Sequence, residues 1–339
     1  MAPGGTRLTM NAPRKGALAA VALVMVLQIA ASAPNIDFGV DVAVYHATAQ
    51  HLVRGEPLYR EAPRRNPYDV TSTFLYPPVF AALLRPAALL DHRTFFVLWY
   101  VLLAACGLAL SAALATLLFA ARTPKTLLAS AVIVALTPGV EASVAIGNAD
   151  LLIWTLAAFA LISPSPTPLL VAGLLKVYPL PAWAVLSLRS RRLPSLRAVV
   201  LVAALTAFTL LTTDALEWVR NGIPALTSGN FTFYNWSFST FPLRYLASGD
   251  HLLDPPFRVY LSLASVVAPV IVAVLARRTS PRVHTALVLF ASTAFAPLCW
   301  WYRLPIALLL VFAATVADAR TEGRAHGADM TIRPPATKR

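Results

Sequence analysis

The chain has 339 residues, 58% of them hydrophobic and 13% charged, and a formal net charge of +13. Soluble chains carry about 25% charged residues, and several runs here approach the ~18 apolar residues of a bilayer crossing, so the composition excludes a soluble globular protein. The basic residues are spread over short segments between apolar runs, which is the positive-inside pattern and argues against a nucleic-acid partner.

The first apolar run, Lys15–Ala33, has a basic front and the small-residue end Ala31-Ser32-Ala33, as a secretory signal does. The many spans that follow favour a retained first helix. Either way Asp37 and Asp41 leave the cytoplasm. Residues 42–54 place Val42, Tyr45, Ala49, Leu52 and Val53 at helical spacing, with His46, Thr48, Gln50 and Arg54 opposite. This predicts a helix lying on the membrane surface, closed by Gly55-Glu56-Pro57. Residues 60–73 read as a polar loop.

Residues 74–90 combine Pro77, Pro78, Pro86 and Arg85 with apolar side chains. A lipid-facing span does not carry these together, so a short re-entrant or interfacial element is expected. Spans are expected at 94–121, 126–145 and 148–163. The run 168–188 holds Lys176 and Pro179 near its middle. Two short helices meeting at Lys176-Val177-Tyr178-Pro179 keep that lysine out of lipid. Spans at 197–213, 258–276, 283–299 and 303–318 complete the set. Cys106 and Cys299 both fall in apolar segments, so no disulfide framework is indicated.

With the basic segments Arg122/Lys125, Arg189–Arg197 and Arg277–Arg282 and both termini in the cytoplasm, about ten crossings satisfy every anchor. The expected organisation is one all-α integral-membrane domain, 1–318, with an outer loop at 34–73 and a disordered cytoplasmic tail at 319–339. The polar residues then gather on the extracytoplasmic face, as an enzyme or a transporter requires. Arg54, Arg60, Arg64 and Arg65 break the charge rule in the first outer loop. They suit an anionic ligand such as a phosphate, or lipid head groups.

Asp41-x-x-Val44-Tyr45, Ala49, Gly55, Pro57-Leu58-Tyr59 and Tyr76-Pro77-Pro78 resemble the first-loop pattern of glycosyltransferase family 87. Gly147-Asn148-Ala149-Asp150, Lys176-Val177-Tyr178-Pro179 and Asn235-Trp236-Ser237 continue the resemblance in order, over most of the chain from Asp37 to about Pro305. The resemblance implies a GT-C type helical bundle in the cell membrane. It implies a polyprenyl-phosphate sugar donor, usually of mannose, and a lipid-linked glycan acceptor. It also implies inversion at the sugar carbon with one loop aspartate as general base, by position Asp41. No cofactor is expected, since Arg or Lys can stabilise a lipid monophosphate without a metal.

Each candidate has a plainer reading beside it. Asp41 suits a helix cap as well as a base. Lys176 suits a donor-phosphate contact or snorkelling to an interface. Asn148 and Asp150 suit capping of the next helix, the favoured reading for Asp150. Asn235 and Ser237 lie in an aromatic loop that suits a sugar platform or an interfacial belt. Arg303 suits a phosphate or, slightly favoured, lipid head groups; the resemblance would put a histidine near it, and Tyr302-Arg303 stand there instead. The candidate set is Asp41 for catalysis, and Tyr45, Arg64, Arg65, Tyr76, Asn148, Lys176, Tyr178, Asn235, Ser237 and Arg303 for substrate. No metal-ligand cluster is evident. The alternative function is a lipid-linked saccharide transporter or flippase; no internal repeat supports it.

Overall fold

The computed structural model describes residues 38–59, 74–190, 196–213, 215–223, 237–239, 255–297, 299 and 303–331. The predicted first span, Asp37, the loop 60–73, Arg60, Arg64, Arg65, Asn235 and most of the aromatic loop lie outside them. The described elements are all helical.

Helix α1, Val40–Arg54, starts and stops on glycines in the left-handed region, Gly39 at φ 72° and Gly55 at φ 68°, where a Cβ is costly. Gly55 and Glu56 N–H groups close its C-terminal carbonyls on Leu52 and His51, the usual left-handed stop. The apolar face was only partly legible. Val42, Tyr45 and Ala49 are buried as expected, but Val53 is 55% exposed, and His46 and Thr48 are buried. His46 reaches the Leu90 carbonyl at 2.9 Å and Thr48 donates to Val44 O, so tertiary partners satisfy both.

Helix α2, Pro78–Leu84, passes into a 3₁₀ turn at Arg85–Leu89, the short element that the prolines predict, and packs against α1. Helix α3, His92–Phe119, is capped by the Asp91 carboxylate, which accepts from Thr94 N–H. Its 28 residues extend about 42 Å, enough to cross the ~30 Å hydrocarbon layer. The straight span expected at 126–145 is instead two helices, α4 at Pro124–Leu136 and α5 at Pro138–Ile146, bent by 68°. Pro138 lacks the donor a continuous helix needs there.

Helix α6, Asp150–Ile162, packs on α3, α5, α7, α11 and α12. Leu151, Ile153, Trp154, Ala157, Ala158, Ala160 and Leu161 are all essentially inaccessible, so α6 is the central rod. Helices α7, Thr167–Leu175, and α8, Leu180–Ser190, are separated at Lys176–Pro179 as the lysine and proline predict. Helix α9, Leu196–Thr212, is followed by a short stretch, Ala215–Glu217 and a π turn at Trp218–Gly222, which turns by 93°. Helix α10, Pro255–Leu275, exposes Leu263, Val266, Val270 and Val274 on its outer face. Helix α11, Pro281–Ala294, is shorter than the expected 283–299 span. Helix α12, Arg303–Thr331, runs past Asp318, so the first part of the polar tail is helical rather than disordered.

Among the described residues, three helices are long and apolar enough to cross a membrane, and up to five spans result if each of two bent pairs counts as one. The chain is an all-α membrane protein. At one end of the bundle arginines hold helix termini. Arg189 donates to Arg277 O and Thr279 O, and Arg282 to Leu161 O, at 2.6 Å, and to Asp318. At the other end of α6 stands Asp150.

Candidate active site

Gly147 makes the turn that enters α6. Its φ is 74°, and a Cβ there would lie 2.2 Å from Val42 Cγ2 of α1. Trp99 Nε1–H donates to the Gly147 carbonyl at 2.8 Å, and Gly39 N–H donates to Ala145 O at 2.8 Å. These contacts press the start of α1 onto the α5–α6 turn. Sequence reasoning missed Trp99, because its role depends on a neighbour 48 residues away.

The consequence is a chain of polar side chains drawn from four separate stretches. Asn148 Nδ2–H donates to Asp41 Oδ2 at 2.5 Å. Its other end, Oδ1, accepts from Lys176 Nζ at 2.8 Å and from Asp150 N–H at 2.8 Å. Lys176 Nζ also donates to Asp150 Oδ1 at 2.7 Å, and Arg303 Nε–H donates to Asp150 Oδ2 at 2.7 Å. Tyr178 OH donates to Asp150 Oδ1 at 3.3 Å. Asp150 is fully buried, Lys176 is 8% exposed and Arg303 7%.

These contacts decide between the paired readings of several residues. Asp41 is not the helix cap: Gly39 holds that position, with no side-chain cap. Asp150 does not cap α6; its carboxylate is spent on two cations, and Asn148 serves the first turn instead. Arg303 is buried in an ion pair rather than placed among head groups, and Lys176 is buried rather than snorkelled. The signal available in the sequence was charge complementarity. One acid and two bases fall in otherwise apolar stretches, and buried charges must pair.

Tyr45 and Tyr76 stand behind this cluster. Their hydroxyls meet at 2.5 Å, Tyr45 OH accepts from Ala149 N–H at 3.2 Å, and the Lys176 ammonium lies 4.7 Å from the Tyr76 ring centroid. Tyr45 is completely inaccessible. Ser237 meets Ser239 at 2.7 Å, and Phe238 N–H holds their segment on Ala294 O of α11. The structure thus brings together Asp41, Tyr45, Tyr76, Asn148, Lys176, Tyr178 and Arg303. Among the described residues no three His, Cys, Asp or Glu side chains gather as a metal site.

Electrostatically the four charged groups balance when Asp41 is ionised. Burial pushes the Asp41 carboxyl up to about 6, against the opposing pull of the Lys176 charge and the Asn148 hydrogen bond. A carboxylate with that proton affinity is ionised at neutral pH and basic enough to take a proton in a transition state. Two cations next to it suit an anionic leaving group.

A sequence model of glycosyltransferase family 87 matches residues 74–300. The chain belongs to glycosyltransferase family 87. The match covers α2 to the end of α11 and includes Tyr76, Asn148, Lys176 and Tyr178; Asp41 and Arg303 flank it. No curated protein and no solved structure matches the chain. Family membership makes this membrane protein a glycosyltransferase, with a sugar donor and a glycan acceptor as substrates.

Proposed function

We propose that this family 87 enzyme transfers a hexose, in first place mannose, from a polyprenyl phosphate to a lipid-linked glycan, with inversion. Its face is extracytoplasmic, in a bundle of about ten crossings in the cell membrane. The observation that carries the reading is the pairing of Asp41, through Asn148, with a buried Lys176–Asp150–Arg303 group. Asp41 takes the proton of the acceptor hydroxyl as its oxygen attacks the sugar carbon. The bond from that carbon to the phosphate oxygen breaks on the opposite face. The prenyl phosphate leaves with the electron pair, and Lys176 and Arg303 stabilise its added negative charge. Asp150 keeps both cations charged and in place before the donor arrives. Tyr45, Tyr76 and Tyr178 position this group. Arg64, Arg65, Asn235 and Ser237 are further substrate candidates.

A second feature supports a lipid donor. An apolar cavity of about 340 Å³ lies between Pro77–Val79, Val177, Thr206, Thr209, Leu210 and Trp218. It adjoins Tyr76 and Lys176 directly in sequence and suits a prenyl chain. Family membership weighs against a transporter.

The test uses purified protein in detergent with labelled prenyl-phosphate sugars and lipid extract, wild type beside Asp41→Asn. Label moving into a new glycolipid with wild type alone is expected. No transfer from any prenyl-phosphate sugar would overturn the reading.

A further inference from the structure

A second cavity, of about 540 Å³, lies outside the Asp41 group. Its walls are the end of α1 with Gly55–Leu58 on one side, and Leu211, Thr213, Glu217, Arg220 and Asn221 on the other. That volume falls in the range of small-molecule sites, roughly 300–1,000 Å³. Its polar groups are the carboxylates of Glu56 and Glu217, the Asn221 amide, the Arg220 guanidinium and the Thr213 hydroxyl, so acceptors and donors are both present.

The cavity is a built feature. Leu58 N–H donates to Glu217 Oε2 at 3.2 Å, and Asn221 Nδ2–H donates to Tyr59 O at 2.7 Å. These two bonds tie its walls together across about 160 residues of chain. The stretch Ala215–Gly222 is its partition. Glu217, Arg220 and Asn221 face this cavity, while Ala215, Trp218 and Val219 line the apolar one. One short amphipathic wall therefore separates a polar chamber from an apolar chamber.

The chamber is also wired to the reaction site. Tyr59, whose carbonyl holds Asn221, donates its hydroxyl to Tyr76 O at 3.0 Å, and Tyr76 meets Tyr45. Leu52, on the chamber wall, is eleven residues beyond Asp41 on α1, or about 16 Å. One sugar ring does not bridge that distance, and a short oligosaccharide does.

We infer that this chamber binds the distal sugars of a neutral oligosaccharide acceptor, whose reacting hydroxyl lies at Asp41. The inference rests on the glycosyltransferase reading and adds a length requirement to it. Carboxylate, amide and guanidinium groups together pair with vicinal hydroxyls, each of which both donates and accepts. Arg220 is exposed on the wall, so its removal leaves the fold intact.

The experiment is titration calorimetry of full-length protein in detergent with mannotetraose and maltotetraose, each beside its methyl monosaccharide. Wild type is expected to bind at least one tetraose tenfold or more tightly than its monosaccharide. Arg220→Ala and Glu217→Gln are expected to remove most of that gain, with melting temperatures showing that both fold. Asp41→Asn is expected to keep it. Equal binding of tetraose and monosaccharide, or a gain that survives both chamber variants, overturns the inference. The readout needs no donor. Length-dependent binding without any transfer would sink the reaction reading and leave the chamber standing.

Discussion

Asn148 donates to Asp41 at 2.5 Å across 107 residues of chain, and its amide oxygen accepts from Lys176 on the far side. One neutral side chain thus joins the proposed base to the cation pair and fixes its own orientation. Replacing Asp41 by Asn keeps an acceptor for Asn148 and removes the base. Turnover is expected to fall by about 10²–10⁴-fold, with the melting temperature in detergent little changed. A rate within threefold of wild type would remove Asp41 from the chemistry.

The same carboxyl sets a pH profile. With its pKa raised to about 6 by burial, Asp41, as the proposed base, is ionised above that value and protonated below it. The profile of kcat/KM is expected to be flat near neutrality and to fall tenfold per unit below about 6. Asn148→Ala removes an influence that lowers the pKa, so the acid limb moves to higher pH. The stability effect runs the opposite way with pH. The raised pKa contributes stability that is fully present below the usual 3.8 and is lost as pH rises through about 6. A limb that stays put in Asn148→Ala would separate Asp41 from the observed titration.

Much of this site was legible because polar residues in an apolar chain are few. Lys176 beside Pro179 announces the α7–α8 break, and Asn148 and Lys176 stand out in the sequence as polar residues in apolar surroundings. What the sequence hid was pairing. Asp150 reads as a helix cap because it follows a glycine turn, and Arg303 reads as interfacial because it opens a helix. Only the packing of α6 against α12 brings them to 2.7 Å. His46 was hidden for the same reason: its partner is a backbone carbonyl, Leu90 O, which leaves no mark on periodicity.

Gly147→Ala tests the clamp between α1 and the α5–α6 turn. A Cβ meets Val42 at 2.2 Å, and φ 74° is unfavourable for alanine. A loss of roughly 1–3 kcal/mol is expected, read as a lower melting temperature. Turnover per folded molecule also falls, since Asn148 and Asp41 are pushed apart. Val42→Ala in the same chain makes room for the new methyl and is expected to recover part of the activity; no recovery would show that the clash is not the cause.

Arg282→Ala acts at the opposite end of α6. It strips the Leu161 carbonyl and Asp318 of a charged donor, and about 1.5–3 kcal/mol of stability goes with such bonds. Ile162 is twelve residues from Asp150 along α6, or about 18 Å. Turnover per folded molecule is therefore expected to hold, and a changed acid limb would contradict the separation of the two ends.

Asp150 is where stability and the proposed leaving-group chemistry meet. Removing its charge with Asp150→Asn leaves Lys176 and Arg303 buried against each other, and stranding a buried charge costs about 3–5 kcal/mol. Lys176→Met is milder, because Asp150 keeps Arg303 and Tyr178 as donors. The double variant Asp150→Asn/Lys176→Met leaves one cation and no like-charged neighbour. It is expected to melt above Asp150→Asn alone, with a coupling of about 0.5–3 kcal/mol, yet to remain inactive because the leaving phosphate has lost a partner. Additive losses in that cycle would mean that the two side chains do not share the pair seen at 2.7 Å. Recovered stability accompanied by recovered turnover would instead assign the leaving-group role to Arg303 alone.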